Sequence, residues 1–155
     1  MNRTARCLLA GLVAVVSMAS VCEDEDNRVT GTYELVIRET LDTCDPNREL
    51  NTFASQVTIS RGQDGFILEF GEEATLTGDF NDEGTLVAAG NIVVERVGQS
   101  IAALMQVQIV IKQGQITLGS GRLTFNGTFP GRTGTCVQEF GISGSRNDNR
   151  VPVVG

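Results

Sequence analysis

The chain has 155 residues, with 12 Lys or Arg against 19 Asp or Glu, a net charge of −7, and no His or Trp. The length suits one domain, and the acidic balance argues against a protein that tracks nucleic-acid backbone. Without His there is no Ser-His-Asp or Cys-His catalysis, no His-ligated zinc and no imidazole base.

In chain order, residues 1–21 come first and read as a secretory signal peptide. Arg3 and Arg6 supply a positive start, Leu8–Val16 an apolar centre, and Ser17, Ala19 and Ser20 small residues near a cleavage point. The apolar stretch from Leu8 to Val21 falls short of the ~20 residues that a bilayer-spanning helix needs. Two processing routes fit. Ser17 and Ala19 allow a general signal peptidase to cut before Ser20, whereas Ala19-Ser20-Val21-Cys22 resembles a bacterial lipobox with Val21 off pattern. The second route would acylate Cys22 and attach the chain to a membrane. Residues 22–27, with Glu23-Asp24-Glu25-Asp26, then form an acidic tether. Either route exports the chain, to the cell envelope (periplasm or outer-membrane lipoprotein) or to the outside.

Export sets the cysteine chemistry. Cys7 leaves with the signal, and Cys22, Cys44 and Cys136 remain. An odd count calls for an explanation, and acylation of Cys22 supplies one by leaving Cys44 and Cys136 as a disulfide pair. Pairing of Cys22 with either of the others, or between chains, is the alternative. No Cys-x-x-Cys occurs, so the expected role is structural.

From residue 28 to 146 the apolar residues recur with period two. Tyr33, Leu35, Ile37 and Leu41 share one face of a first strand, opposite Glu34, Arg38 and Thr40. A polar loop follows over residues 42–51, with Asp45-Pro46-Asn47 as its turn signal. Val57 and Ile59 mark the second strand. Gly62-Gln63-Asp64-Gly65 turns into Phe66, Leu68 and Phe70, and Leu76 and Phe80 mark a fourth strand. Leu86–Ala89 and Ile92–Glu95 read as two short strands around Gly90-Asn91. Ile101–Lys112 is the longest run, with the option of one helical turn over Ser100–Met105. Gln113-Gly114 turns into Ile116 and Leu118. The apolar phase then switches at Gly119-Ser120-Gly121, which predicts a bulge or turn before Leu123, Phe125 and Phe129. Pro130–Gly134 is the last turn, and Cys136, Phe140 and Ile142 share a face of the closing strand. Residues 147–155 form a tail. Eight to ten strands with short connections predict an all-β, antiparallel up-and-down barrel, with a two-sheet sandwich as the alternative.

Gly31-Thr32-Tyr33 at the start of the first strand resembles the Gly-x-Trp opening of the calycins, the lipocalin and avidin-like barrels. Ala74–Phe80 is similar to an arm of an avidin-type hairpin, and a bridged Cys near each end is lipocalin-like. The resemblance covers residues 28–146 and implies a small barrel, with Tyr in place of the hallmark Trp and no ligand residues carried over.

Three clusters have the chemistry of a site. Asp79-x-Asn81-x-Glu83-Gly84 matches the first half of a calcium loop, but Gly90 stands where the bidentate Glu would be, and these residue types also make hairpin loops. Glu72-Glu73 are adjacent acids at a turn, a poor placement for general acid and base. Asn126-Gly127-Thr128 is both a glycosylation sequon and a tight-turn sequence. The seven Phe residues read as barrel core. No catalytic, metal or cofactor set is expected. The sequence points to an exported, non-catalytic envelope protein with a structural or interaction role. The alternative is a lipocalin-like module for a small apolar ligand, and an interior cavity would separate the two.

Overall fold

The period-two pattern is realised as eight strands: β1 (Gly31–Asp42), β2 (Thr52–Gly62), β3 (Gly65–Phe70), β4 (Ala74–Phe80), β5 (Leu86–Arg96), β6 (Gln99–Lys112), β7 (Gln115–Phe129) and β8 (Arg132–Arg146). The structure is a computed structural model, and it describes residues 28–72, 74–96, 98–129 and 132–147. Each strand pairs antiparallel with the next and β8 returns to β1, so the sheet is a closed up-and-down barrel rather than a sandwich. Closure leaves each strand one inward and one outward face.

Most of the inward residues make one core. Tyr33, Leu35, Val57, Ile59, Phe66, Leu68, Leu76, Leu86, Val107, Ile109 and Ile142 are buried within it. A smaller cluster of Ile101, Ala103, Phe125 and Cys136 fills one end. The other end, which carries both termini of the domain, is stitched by hydrogen bonds. The Tyr33 hydroxyl donates to the Val29 carbonyl at 2.7 Å. The Arg146 and Asn147 N–H groups donate to the carbonyls of Gly114 and Thr32, both at 2.7 Å.

Several local expectations change. Gly90-Asn91 does not break a strand; β5 runs through it, with Gly90 opposite Met105. The missing side chain at Gly90 lets the β4 backbone at Thr75 and Leu76 pass against β5, where a Cβ would collide. Ser100–Met105 is extended within β6. The phase switch in β7 is a bulge, since its register against β8 shifts between Ile116 and Ser120. That bulge turns Leu118 outward, where it is 71% exposed, instead of following Ile116 into the core. A second bulge, between Glu39 and Leu41 of β1, turns Leu41 outward and Asp42 inward, beside Glu39, which follows the inward phase of Leu35 and Ile37. Among the Phe residues, Phe66, Phe125 and Phe140 are buried and Phe66 stacks edge-on to Phe80 at 5.3 Å. Phe53 departs from the expected core and is 44% exposed. It lies opposite Ile37 on the inward face, but β3 pairs with β2 only from Thr58 onward and does not cover it.

Candidate functional site

The densest polar chemistry lies at the barrel end opposite the termini, where β1 points two carboxylates inward, Glu39 by its alternation and Asp42 through the bulge. Glu39 and Asp42 are buried there, and so is Gln138, which faces Asp42 from β8. The Asp45-Pro46-Asn47-Arg48 turn, closed by Arg48 N–H on the Asp45 carbonyl at 3.1 Å, carries Arg48 back over them. Its Nη2 donates to Glu39 Oε1 at 2.7 Å and to Asp42 Oδ2 at 2.9 Å. Gln138 Nε2 donates to Asp42 Oδ2 at 2.7 Å. The N–H groups of Cys44 and Asp45 donate to Asp42 Oδ1 at 2.8 and 3.0 Å. Asn51 N–H donates to Glu39 Oε2 at 2.8 Å.

Thr43 prolongs the β1–β8 ladder. Its N–H donates to the Val137 carbonyl at 2.9 Å, and its hydroxyl accepts from Val137 N–H at 2.8 Å. One residue on, Cys44 and Cys136 are bridged, with Cα atoms 5.0 Å apart. The loop over residues 43–51 is therefore held across the barrel mouth by a disulfide, a ladder extension and an ion-pair cluster.

The electrostatics follow from these contacts. Burial pushes the Asp42 carboxyl up, but the hydrogen bonds from Arg48, Gln138, Asp45 and Cys44 together outweigh it and hold its pKa at about 2. The hydrogen bonds from Arg48 to Glu39 and then Asp42 raise the guanidinium further above its usual range. Every carboxylate oxygen of the pair accepts at least one hydrogen bond from within the chain, which leaves a poor general base and a poor metal ligand. The cluster works as a latch. Sequence reasoning placed Asp42 and Arg48 in an ordinary polar loop and gave no role to Glu39 and Gln138 in the flanking strands, although Glu39 stood in the inward phase of Tyr33, Leu35 and Ile37.

The clusters singled out from sequence are used locally. Asn81 Oδ1 accepts from the N–H groups of Glu83 and Thr85 at 3.0 and 2.9 Å, and Asp79 Oδ1 from Phe80 N–H at 2.8 Å. With Gly84 at φ +78°, this is a hairpin loop whose oxygens cap its own backbone. Among the described residues no three His, Cys, Asp or Glu side chains gather as a metal site. Glu72 is exposed at the β3–β4 turn, and Glu73 lies outside the described residues, as do Cys22 and Glu23–Asp26. Asn126-Gly127-Thr128 is not a turn: it sits within β7, opposite Thr135, Gly134 and Thr133 of β8.

Two depressions lie on the outer wall. One, of about 390 Å³, lies over β5–β8 and is edged by Gln106, Gln108, Arg122 and Glu139. The other, of about 480 Å³, lies over β7, β8 and β1 between Leu118 and Val36. Comparison of the chain with protein families, curated proteins and solved structures finds no match.

Proposed function

We propose that this chain is an exported, non-catalytic β-barrel of a bacterial cell envelope, with a structural or interaction role. The observation that carries this reading is how the interior is used. Its inward faces meet in an apolar core, and the acids buried at the mouth are spent on Arg48, Gln138 and loop N–H groups. A small-molecule binder of this fold keeps an apolar space of a few hundred Å³ inside the barrel. Here depressions of that size lie on the outer wall. The export part of the reading rests on residues 1–21, and a bridge between Cys44 and Cys136 suits an oxidising compartment. The up-and-down meander is also what the calycin resemblance of Gly31-Thr32-Tyr33 implies.

The test is intact-mass measurement under native conditions after gentle purification. A clean mass of the bare chain is expected, and a co-purified small molecule of defined mass would overturn the non-binding reading. For attachment, the proposal is that Cys22 takes up a palmitate analogue in the bacterial host. Label retained by a Cys22→Ser variant would exclude that route.

A further inference from the structure

Two runs of strand that flank the short β3–β4 hairpin lack a partner strand. β5 pairs with β4 only over residues 86–89, and β2 with β3 only over residues 58–62. Among the described residues nothing pairs with the β4 side of residues 91–95 or with the β3 side of residues 52–56. β4 does not continue along β5, because at Thr75 it crosses onto the inward side of Gly90. The wall is therefore notched above the hairpin, and each lip of the notch is a bare strand edge.

Ladder alternation shows which main-chain groups are left over. Asn81 N–H donates to the Thr85 carbonyl at 2.9 Å, so Thr85 directs its main-chain groups toward β4, and every second residue of β5 does the same. Val87 and Ala89 meet Asp79 and Thr77 there, whereas Asn91, Val93 and Glu95 direct their N–H and C=O groups into the empty lane. On β2, Glu39 N–H donates to the Asn51 carbonyl, which turns Asn51, Phe53 and Ser55 toward β1 and leaves Ala54 and Gln56 facing the notch. Exposed edges are ordinarily blunted by Pro, Lys or a bulge. Neither residues 52–56 nor residues 91–95 carry any of these. The core is also unsealed beside them: Ile92 and Val94 are only half-buried, and Phe53, on the inward face of the β2 lip, is 44% exposed.

These groups select the occupant. Alternating donors and acceptors at strand spacing match another extended main chain, and a sugar, a lipid or a small molecule carries no such row. Charge narrows the choice. The two lips, the hairpin end between them and the strands behind carry Glu34, Glu69, Glu72 and Glu95 against Arg38 and Arg96. A second copy of the chain would bring the same excess of acid to the edge, where like charges oppose pairing. A basic strand meets no such opposition.

We propose that the notch takes an extended basic segment of a partner protein as an added strand, hydrogen-bonded to Asn91, Val93 and Glu95. Its inward side chains, aliphatic or aromatic, rest against Ile92 and Val94, and its outward Lys or Arg side chains face Glu95 and the acids of the β3–β4 hairpin. The inference rests on the interaction role proposed above and names the partner's chemistry.

The test is fluorescence polarisation with labelled eight-residue peptides that alternate Val or Ile with Lys or Thr. One comparator has Glu in place of Lys. The other is the basic peptide N-methylated at every residue, which keeps side chains and charge and removes the main-chain donors. The basic peptide should bind, the acidic one about tenfold more weakly, and the N-methylated one not detectably. Val93→Pro deletes an N–H that the barrel does not use, so it should keep the parent's melting temperature and lose binding. Glu95→Gln should weaken binding about threefold. No binding of the basic peptide, equal binding of the acidic or N-methylated one, or binding retained by Val93→Pro would each overturn the proposal. So would a dimer of the parent chain that Val93→Pro dissolves, since the edge would then belong to a second copy. The N-methylated comparison uses the parent protein and holds whatever Val93→Pro does to stability. None of these results bears on the intact-mass test, so this edge can fail while the non-catalytic reading stands.

Discussion

Asp42 and Arg48 show how much a few polar residues can decide in a barrel of this size. Asp42 accepts from two backbone N–H groups, Arg48 and Gln138, and its pKa of about 2 lies below the ordinary 3.8. The unfolded chain therefore takes up this proton first as pH falls. The carboxylate's contribution is complete above about pH 5, shrinks as pH drops through 4 and 3, and is gone below about pH 2. The depression corresponds to roughly 2 kcal/mol. Asp42→Asn should lower stability by about 2 kcal/mol at pH 7 and leave it nearly unchanged at pH 2, as read from urea midpoints at both values; a pH-independent difference would refute the ionic account. Arg48→Ala should cost more at pH 7, about 3 kcal/mol, because it leaves two buried acids facing each other. With the guanidinium 28% exposed, the loss should stay at the lower end of what a fully buried pair forfeits.

At the scale of strands, close packing between β4 and β5 depends on absent side chains. Gly78 lies opposite Ala88, and a Cβ there would press into the Val87 carbonyl and Ala88. Gly78→Ala should therefore destabilise the barrel by about 1–3 kcal/mol, the usual cost of overpacking. Gly141→Ala, with open space above it, should be neutral or slightly stabilising in the same denaturation series. Strand existence was legible because alternation is a local property: Tyr33, Leu35 and Ile37, or Val107 and Ile109, state their face without knowing their neighbours. Gly90 was misread for the converse reason. A glycine that serves a close crossing by β4 looks in sequence like a glycine that serves a turn, and only the tertiary neighbour tells them apart. Bulges were legible where the apolar phase visibly switched, at Gly119–Gly121. They were not legible at Glu39–Leu41, where an apolar residue falls on the outward face and two acids on the inward one. The latch escaped notice because its stabilising partner, Arg48, comes from a loop whose path no periodicity encodes.

For the whole molecule, closure is the expensive step, since β1 and β8 lie about a hundred residues apart and must pair before the barrel has a continuous wall. The Cys44–Cys136 bridge spans 92 residues of that separation and sits where the β1–β8 ladder ends. In the chain-entropy account such a loop stabilises by roughly 4–5 kcal/mol, through the unfolded chain. The latch acts in the folded state, by anchoring the same loop over residues 43–51. If the bridge worked on the unfolded chain alone, the two contributions would simply add. Here the bridge also fixes Cys44, two residues from Asp42 and four from Arg48, so its removal loosens the frame on which the latch is built. A cycle of Cys44→Ser with Cys136→Ser, Arg48→Ala, and all three together should therefore be non-additive, with the triple variant more stable than the sum predicts by about 0.5–1 kcal/mol, as expected for contacting sites. The measurement is equilibrium urea unfolding of the four proteins at pH 7. Strict additivity would assign the bridge to the unfolded chain alone and leave Arg48 to hold the mouth unaided.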